Sequence, residues 1–160
     1  MNPAAFYDDP QKQKELDAVA LTLLGTPFGA HAMVPGAAID CIHVNIWCYR
    51  WTRFLAELEL PSYSLDTGAH AAQSQLLAWL DACPKFAVIT FIPGKPEAIA
   101  RPGDTLCFNL GLSEHHVGLV RLSQQFVHVL PKPGRAVIQS ALTEPYYRRR
   151  VTAIYRPLAT

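Results

Sequence analysis

The sequence lacks a strong charge of either sign. Its 160 residues carry 14 Lys and Arg against 13 Asp and Glu, which gives a formal net charge of +1. A balance this even provides no electrostatic argument for a nucleic acid or an anionic membrane as partner. Half of the residues are hydrophobic and 17% are charged, as is typical of a globular chain. We therefore expect one domain over residues 1–160 and no nucleic acid as ligand.

Long apolar runs are also missing from the sequence. No stretch is long enough to cross a membrane, so membrane insertion is not expected. Residues 1–19 have no basic segment followed by an apolar core, so they do not resemble a signal peptide. On this basis the chain is predicted to be cytoplasmic as synthesised. Action on a target outside the cell would then require another route of delivery.

Cysteine is sparse, and its spacing matches no zinc ribbon, CxxC redox pair or disulfide framework. We expect mostly reduced thiols at the four positions, which are Cys41, Cys48, Cys83 and Cys107. Cys41 differs from the others because it stands where a loop rich in Gly, Pro and Ala meets an apolar, helix-like run. Cys48 lies two turns further along the same predicted helix and is expected in the core.

The order of predicted elements favours an α+β domain with a largely antiparallel sheet, because helices come first and strands follow. The predicted helices are one ending near Gly25 with Asp9 as N-cap, a second over 41–58 and a third over 69–83. Residues 26–39 are predicted to form a loop. The predicted strands lie at 85–92, 103–110, 115–122, 125–130, 136–142 and 151–157. A short turn or helix is expected near 143–150.

Cys41 is the first candidate for chemistry. A thiol in the first turn of a helix faces unpaired backbone N–H groups and the positive end of the helix dipole, and both favour the thiolate. Because the thiolate is the nucleophile, such a position suits a reactive cysteine. A small buried hydrophobic residue that happens to begin a helix is the alternative.

A cysteine nucleophile needs a base, and histidines occur in the β-rich half of the chain. His115 and His116 begin "HHVGLVRL", and His128 lies in the next segment, "QFVHVL". If the tight "LSQQ" turn pairs these segments, His116 and His128 face the same side and His115 faces the other. A Cys–His–His arrangement would result, in which the second imidazole orients the first. Taken singly, each histidine is better explained as a half-buried strand residue.

Four motifs in order resemble those of the NlpC/P60 family of papain-like cysteine peptidases. "GTPF…DC", "RPGDTLCF", "HHVGLV" and "FVHV" are similar to that family's "GTPY…DC", "PGD-L-F", "HVGI" and "FIHA". The similarity runs from about Leu24 to Pro157. "YYRRR" near the end resembles a basic "YWRRR"-like segment of the phage-associated branch.

The resemblance implies a papain-like fold with N-terminal helices packed on a largely antiparallel sheet of about five to six strands. It implies that Cys41 is the nucleophile, His116 the general base and His128 the orienting residue, with no cofactor. In such acyl transfer the thiolate attacks an amide carbonyl, the base protonates the leaving amine, and water hydrolyses the thioester. The expected substrate is the peptide stem of peptidoglycan, at the bond between D-glutamate and a diamino acid.

Three further residues are candidate substrate contacts. Phe28 stands where the family usually has tyrosine, and His43 stands where smaller or more polar groups are usual. In relatives with serine after the cysteine, that serine and the preceding Asp help to hold the substrate's free amino end. Here Asp40 is present and Ile42 replaces the serine. Asp40 has an equal alternative interpretation, because an Asp before a helix is often simply its N-cap.

Two other classes of function are open. Cys41 and the histidines at 31, 43, 116 and 128 could converge on a metal ion, since thiolate and imidazole suit zinc. Alternatively, the domain could be a structural or binding component of a phage-tail-like or secretion machine that turns over slowly or not at all. The altered residues around Cys41 favour the second alternative, and the complete Cys–His–His set opposes it.

Overall fold

A computed structural model describes residues 3–55, 77–110 and 113–159 of the protein, with the backbone alone for 113–115. Helices α1 (Pro10–Thr22), α2 (Cys41–Trp51) and a helical segment at 77–82 (α3) precede the strands of the main sheet in the chain. Helix α4 (Pro145–Arg148) lies near the end. Single 3-10 turns cover Phe6–Asp8 and Pro96–Ala98. None of the described helices is long and apolar enough to cross a membrane.

Eight strands are described. They are β1 (Met33–Val34), β2 (Ala38–Ile39), β3 (Phe86–Val88), β4 (Thr105–Leu110), β5 (Ser113–Arg121), β6 (Gln125–His128), β7 (Ile138–Ala141) and β8 (Val151–Pro157). The first two form a small ribbon. The other six form one sheet in the order β3-β8-β4-β5-β6-β7, and every neighbouring pair is antiparallel. The predicted α+β class and strand number are confirmed.

The helices start at their predicted N-caps, whereas α2 ends before its predicted last residue. Asp9 caps α1 by accepting a hydrogen bond from the Gln11 N–H, and Pro10 occupies the first helical position. The prediction that the second helix continues to residue 58 is wrong. It ends at Trp51, and Arg53 adopts a left-handed φ of 61° that a helix cannot include.

The loop and strand predictions also need correction. β1 and β2 lie inside the loop predicted over 26–39, where residues 35–37 connect them. The strand predicted over 85–92 is reduced to Phe86–Val88, and the one over 136–142 to Ile138–Ala141, whereas β8 has its predicted bounds. Of the third predicted helix, residues 69–76 lie outside the described residues, and 77–82 are helical.

Apolar side chains cover the main sheet on both faces. On the first face, Cys107, Val117 and Val127 pack with α1 and α2, and we call this the helix face. On the opposite face, Phe108, Phe126 and Leu142 pack with residues 89–100 and with Tyr147, and we call this the aromatic face. Because alternate strand residues point to opposite faces, adjacent residues of β5 and β6 enter different environments.

Candidate active site

Asp40 ties the start of α2 to the loop that precedes it. One carboxylate oxygen, Oδ1, accepts hydrogen bonds from the His43 backbone N–H at 2.8 Å and from the His43 ring Nδ1 at 2.8 Å. The other oxygen, Oδ2, accepts one from the His31 N–H at 2.9 Å. The side chain is fully buried. The N-cap interpretation is therefore confirmed, and a substrate contact stays a prediction.

Cys41 begins α2 and has no exposed surface. Burial, followed by the negative charge of Asp40, raises the pKa of the Cys41 thiol to about 12. The backbone N–H groups of Val117, Ile42 and Cys41 itself act in the opposite direction and lower that pKa. The helix start lowers the pKa of the thiol, as predicted, but desolvation outweighs this effect, so the net shift is upwards.

His116 and His128 lie side by side, as predicted. Their ring atoms Nε2 of His116 and Nδ1 of His128 are 2.7 Å apart. The paired residues of β5 and β6 run only from Leu119 to Arg121 and from Gln125 to Val127. The two imidazoles thus join the strands just beyond the end of that ladder. His128 Nε2 continues the chain of hydrogen bonds to Ser140 Oγ at 2.9 Å.

Aromatic rings enclose the histidine pair on the aromatic face. The ring centroid of Phe108 lies 5.3 Å from that of His116, and the centroids of Phe126 and Tyr147 lie 4.6 Å and 4.8 Å from that of His128. Burial, and secondarily its neighbour His128, hold the pKa of His116 well below its usual value. Burial lowers the pKa of His128 to about 4. Both rings are therefore neutral at pH 7.

Gly118 makes room for the aromatic rings that surround His116 and His128. It follows His116 by two residues and so shares its side of β5. A Cβ atom at Gly118 would lie 2.8 Å from Cδ2 of Phe126 and 3.4 Å from Cε2 of Phe108. Only glycine leaves room for the rings that pack beneath the two imidazoles.

The structure brings the two histidines together on the aromatic face, whereas Cys41 lies on the helix face. Val117, the residue after His116, packs on the helix face and directs its N–H at the Cys41 thiol. The His116 ring lies among the aromatic side chains. Its Nδ1 is buried and has no hydrogen-bond partner in the part of the chain that the structure describes. Val117, whose N–H bonds the Cys41 thiol, and His116 are thus neighbours along β5, although their side chains lie on opposite faces of the sheet.

The remaining predicted site residues lie on the helix side of this arrangement. His43, whose side chain is 16% exposed, sits in the first turn of α2 with its ring on Asp40. Phe28 is partly buried and packs against the core of the helix face, and its backbone bridges to Ile39, next to Asp40. The side chain of His115 lies outside the described residues. The roles of Phe28 and His43 stay predictions.

The metal-binding alternative finds no support in the geometry. Over residues 3–55, 77–110 and 113–159, no three His, Cys, Asp or Glu side chains come together as ligands for an ion. The two histidines use ring nitrogens to bond each other and Ser140.

Two neighbours of the histidine pair were missed by the sequence reasoning. Ser140 lies in the predicted strand "AVIQSAL", and only its register with β6, where it stands opposite Phe126, brings it to His128. Tyr147 belongs to "PYYRRR", which by sequence is a solvated turn or an anion site. In the structure its ring packs on His128, while Arg148 pairs with Glu97. The placement of α4 against β6 could have been found only from long-range contacts.

A groove of about 850 Å³ lies away from these residues, between α1 and α2. Val19, Trp47 and Trp51 supply its apolar lining, and Glu15 and Arg53 its charged groups. Trp51 is 64% exposed, although its near-helical spacing with Trp47 and Phe54 predicts a place in the core. The groove contains none of the predicted catalytic or substrate-binding residues.

Comparison with known proteins gives a consistent answer for the fold. No protein-family model matches the sequence, and no curated protein matches it significantly. Solved structures do match. NlpC2 from Trichomonas vaginalis superposes over all of this chain and 51% of its own, with a TM-score of 0.64 and 16% identity. A protein of Staphylococcus aureus described as similar to a lipoprotein of the NLP/P60 family superposes over all of this chain and 45% of its own, with a TM-score of 0.61 and 17% identity.

The NlpC/p60 domain of the peptidoglycan hydrolase SagA is similar over 92% of this chain and 98% of its own, with a TM-score of 0.54 and 15% identity. This chain therefore has the NlpC/P60 fold, as its motifs predicted. It spans about half the length of the first two proteins. At these identities the likeness establishes the fold, and the activity has to be argued from the residues themselves.

Proposed function

We propose that this protein is a cysteine peptidase that hydrolyses an amide bond in the peptide stems of peptidoglycan, through Cys41, His116 and His128. The observation that carries the proposal is the bonded histidine pair on β5 and β6, next to Val117, whose backbone N–H bonds the Cys41 thiol. SagA, which shares the fold, is itself a peptidoglycan hydrolase. The bond between D-glutamate and a diamino acid is the proposed point of cleavage.

The site begins the reaction with neutral partners. Since burial raises the pKa of Cys41 and lowers that of His116, the resting site holds a thiol and an uncharged imidazole. In the proposed mechanism the thiol proton passes to His116 Nδ1 as the sulfur attacks the carbonyl carbon. The imidazolium is stabilised by His128 and then protonates the leaving amine. The positive end of the α2 dipole stabilises the oxyanion.

Contact between the thiol and Nδ1 is the step that the proposal requires beyond the described geometry. Nδ1 is the ring nitrogen that has no partner among the described residues, and Val117 already places β5 against the thiol. Because His116 projects to the aromatic face and Cys41 lies on the helix face, this contact requires the His116 ring to reorient when substrate binds. On the substrate side, we propose Asp40 and His43 as polar contacts and Phe28 as an apolar contact.

The decisive experiment is mass spectrometry of stem peptides incubated with wild-type protein and with Cys41→Ala. Peptides with and without a free N-terminal L-alanine should be compared. We expect cleavage by wild type and a loss of about 10³-fold or more in the variant, because the nucleophile is removed. The fragment masses would identify the bond.

Cys48→Ala is the matched control, since Cys48 is also a fully buried thiol of α2. It should lose some stability but retain cleavage. Cleavage that survives in Cys41→Ala, or that is absent from the wild type on every stem peptide, would refute the proposed activity.

A second candidate is a binding or structural component with little or no turnover, as in a phage-tail-like machine. The observation in its favour is the fully buried Cys41 thiol, with its raised pKa, on the face of the sheet opposite to the His116 ring. This candidate predicts that the wild type and Cys41→Ala bind peptidoglycan equally and release no fragments.

A further inference from the structure

The histidine pair is the start of a longer chain of hydrogen bonds. His116 Nε2 meets His128 Nδ1 at 2.7 Å, and His128 Nε2 meets Ser140 Oγ at 2.9 Å. The register of β6 with β7 creates the second contact, because Ser140 stands opposite Phe126 and so lies diagonally from His128 on the aromatic face. Three neighbouring strands thus contribute one side chain each.

The proton positions in this chain are coupled. A neutral imidazole carries one N–H, and the nitrogen that holds it is fixed by the bonds that the ring makes. If His116 Nε2 donates to His128 Nδ1, then His116 Nδ1 is bare, and His128 carries its proton on Nε2 and donates it to Ser140. If the order is reversed, His116 carries its proton on Nδ1, where no described acceptor receives it.

The two orders differ in what His116 can do. Only the first leaves a lone pair on Nδ1 to take a proton from a thiol, whereas the second blocks that nitrogen. The first order also avoids a buried N–H without an acceptor, which would cost free energy. The first order therefore requires an acceptor at the far end of the chain, next to His128 Nε2.

We propose that Ser140 is a positioning residue that sets the tautomers of both histidines by accepting a hydrogen bond from the Nε2–H of His128. Ser140 acts through His128 and does not touch the reacting atoms. This inference rests on the proposed peptidase function for its effect on rate, although its effect on the tautomers is independent of turnover.

The test combines NMR spectra of the histidine tautomers with the rate of peptide cleavage. The whole chain, labelled with ¹⁵N, is prepared as wild type, Ser140→Ala and Ser140→Thr, and Thr143→Ala serves as control because Thr143 is an exposed hydroxyl in the next turn. Long-range ¹H–¹⁵N correlations of the imidazoles at pH 7.5 show which nitrogens carry protons. Amide spectra verify that each variant is folded.

In the wild type we expect both histidines to be protonated on Nε2. In Ser140→Ala a population protonated on Nδ1 should appear, and kcat should fall about ten-fold with little change in KM, since only the base is affected. Ser140→Thr keeps the hydroxyl and should restore both readouts, and Thr143→Ala should match the wild type.

Unchanged tautomers in a folded Ser140→Ala would overturn the inference, and so would changed tautomers with an unchanged kcat. A wild-type protein that shows the expected tautomers but cleaves nothing would instead refute the proposed function. The spectrum in that case still decides the role of Ser140 in setting the tautomers.

Discussion

The two faces of the sheet hold the two halves of the proposed chemistry in different surroundings. On the helix face, Cys41 is surrounded by apolar side chains, with the Asp40 carboxylate as the nearest charge that influences it. On the aromatic face, His116 and His128 are surrounded by rings. Burial suppresses charge on both faces, so it raises the pKa of an acid on one and lowers that of the bases on the other. An activating helix end does not by itself produce an activated thiol.

His116→Ala is the largest expected disturbance on the aromatic face. If His116 is the base, kcat/KM for stem peptides should fall about 10³-fold, within the range for general acid–base catalysis. Phe108→Leu is the control, since Phe108 is the cross-strand partner of His116 and is equally buried. It should lower stability and leave kcat/KM within a few-fold. Retention of activity in His116→Ala would remove this face from the mechanism.

Ionisation of groups on the two faces should lower the stability of the fold at opposite ends of the pH scale. The pKa of His128 falls from 6.5 to about 4 on folding, so the unfolded chain binds a proton that the folded chain does not. Stability is therefore full above pH 6.5 and declines towards pH 4, by about 3 kcal/mol for His128. On the helix face, folding raises the pKa of Cys41 and Cys107 from 9.0 to about 12, so stability should decline as pH rises above 9.

Urea unfolding between pH 4.5 and 10 would measure the decline in stability at acid pH (the acid limb) and at alkaline pH (the alkaline limb). His128→Asn should flatten the acid limb alone, and Cys107→Ala the alkaline limb alone. An acid limb that is unaltered in His128→Asn would show that its protonation does not oppose folding.

Asp40→Asn is a smaller change that separates two roles of this carboxylate: capping α2 and raising the pKa of Cys41. Asn can still cap α2, although it offers one acceptor oxygen to partners that now use two, so we expect a loss of about 1 kcal/mol. Removing the negative charge should lower the pKa of Cys41, because the Asp40 charge raises it. The pH dependence of iodoacetamide alkylation at Cys41, followed by peptide mass spectrometry, measures this.

Asp9→Asn provides the comparison, since Asp9 caps α1 with the same chemistry. It should alter the stability slightly and leave the alkylation of Cys41 unchanged. An alkylation midpoint that does not move in Asp40→Asn would show that this charge has no influence on the thiol.

Local patterns predicted much of the fold, and long-range pairing limited the rest. Alternation and flanking turns located β8 at its observed bounds, and Asp9 with Pro10 located the start of α1. The place of β8 between β3 and β4 could not be predicted, because partners far apart in sequence leave no local signal. The early end of α2 depends on Arg53, whose left-handed conformation has no glycine to announce it.

The same distinction applies to the candidate site. His116 and His128 could be paired from the sequence because a tight turn fixes which residues of two adjacent strands share a face. Ser140 could not be found, since residues 129–137 separate it from β6 and the register across them is not fixed locally. The net pKa of Cys41 was also beyond reach, because it depends on complete burial by α2 and the sheet.

The complete enclosure of Cys41 also bears on how the protein withstands oxidants. Peroxides and bulky maleimides react with exposed thiolates, and this residue offers neither exposed surface nor, at neutral pH, a thiolate. The resting protein should therefore keep Cys41 reduced under aerobic conditions in which an exposed, ionised thiol would be converted to sulfenic acid. Covalent inhibitors directed at Cys41 would need a small electrophile on a scaffold that resembles the substrate peptide.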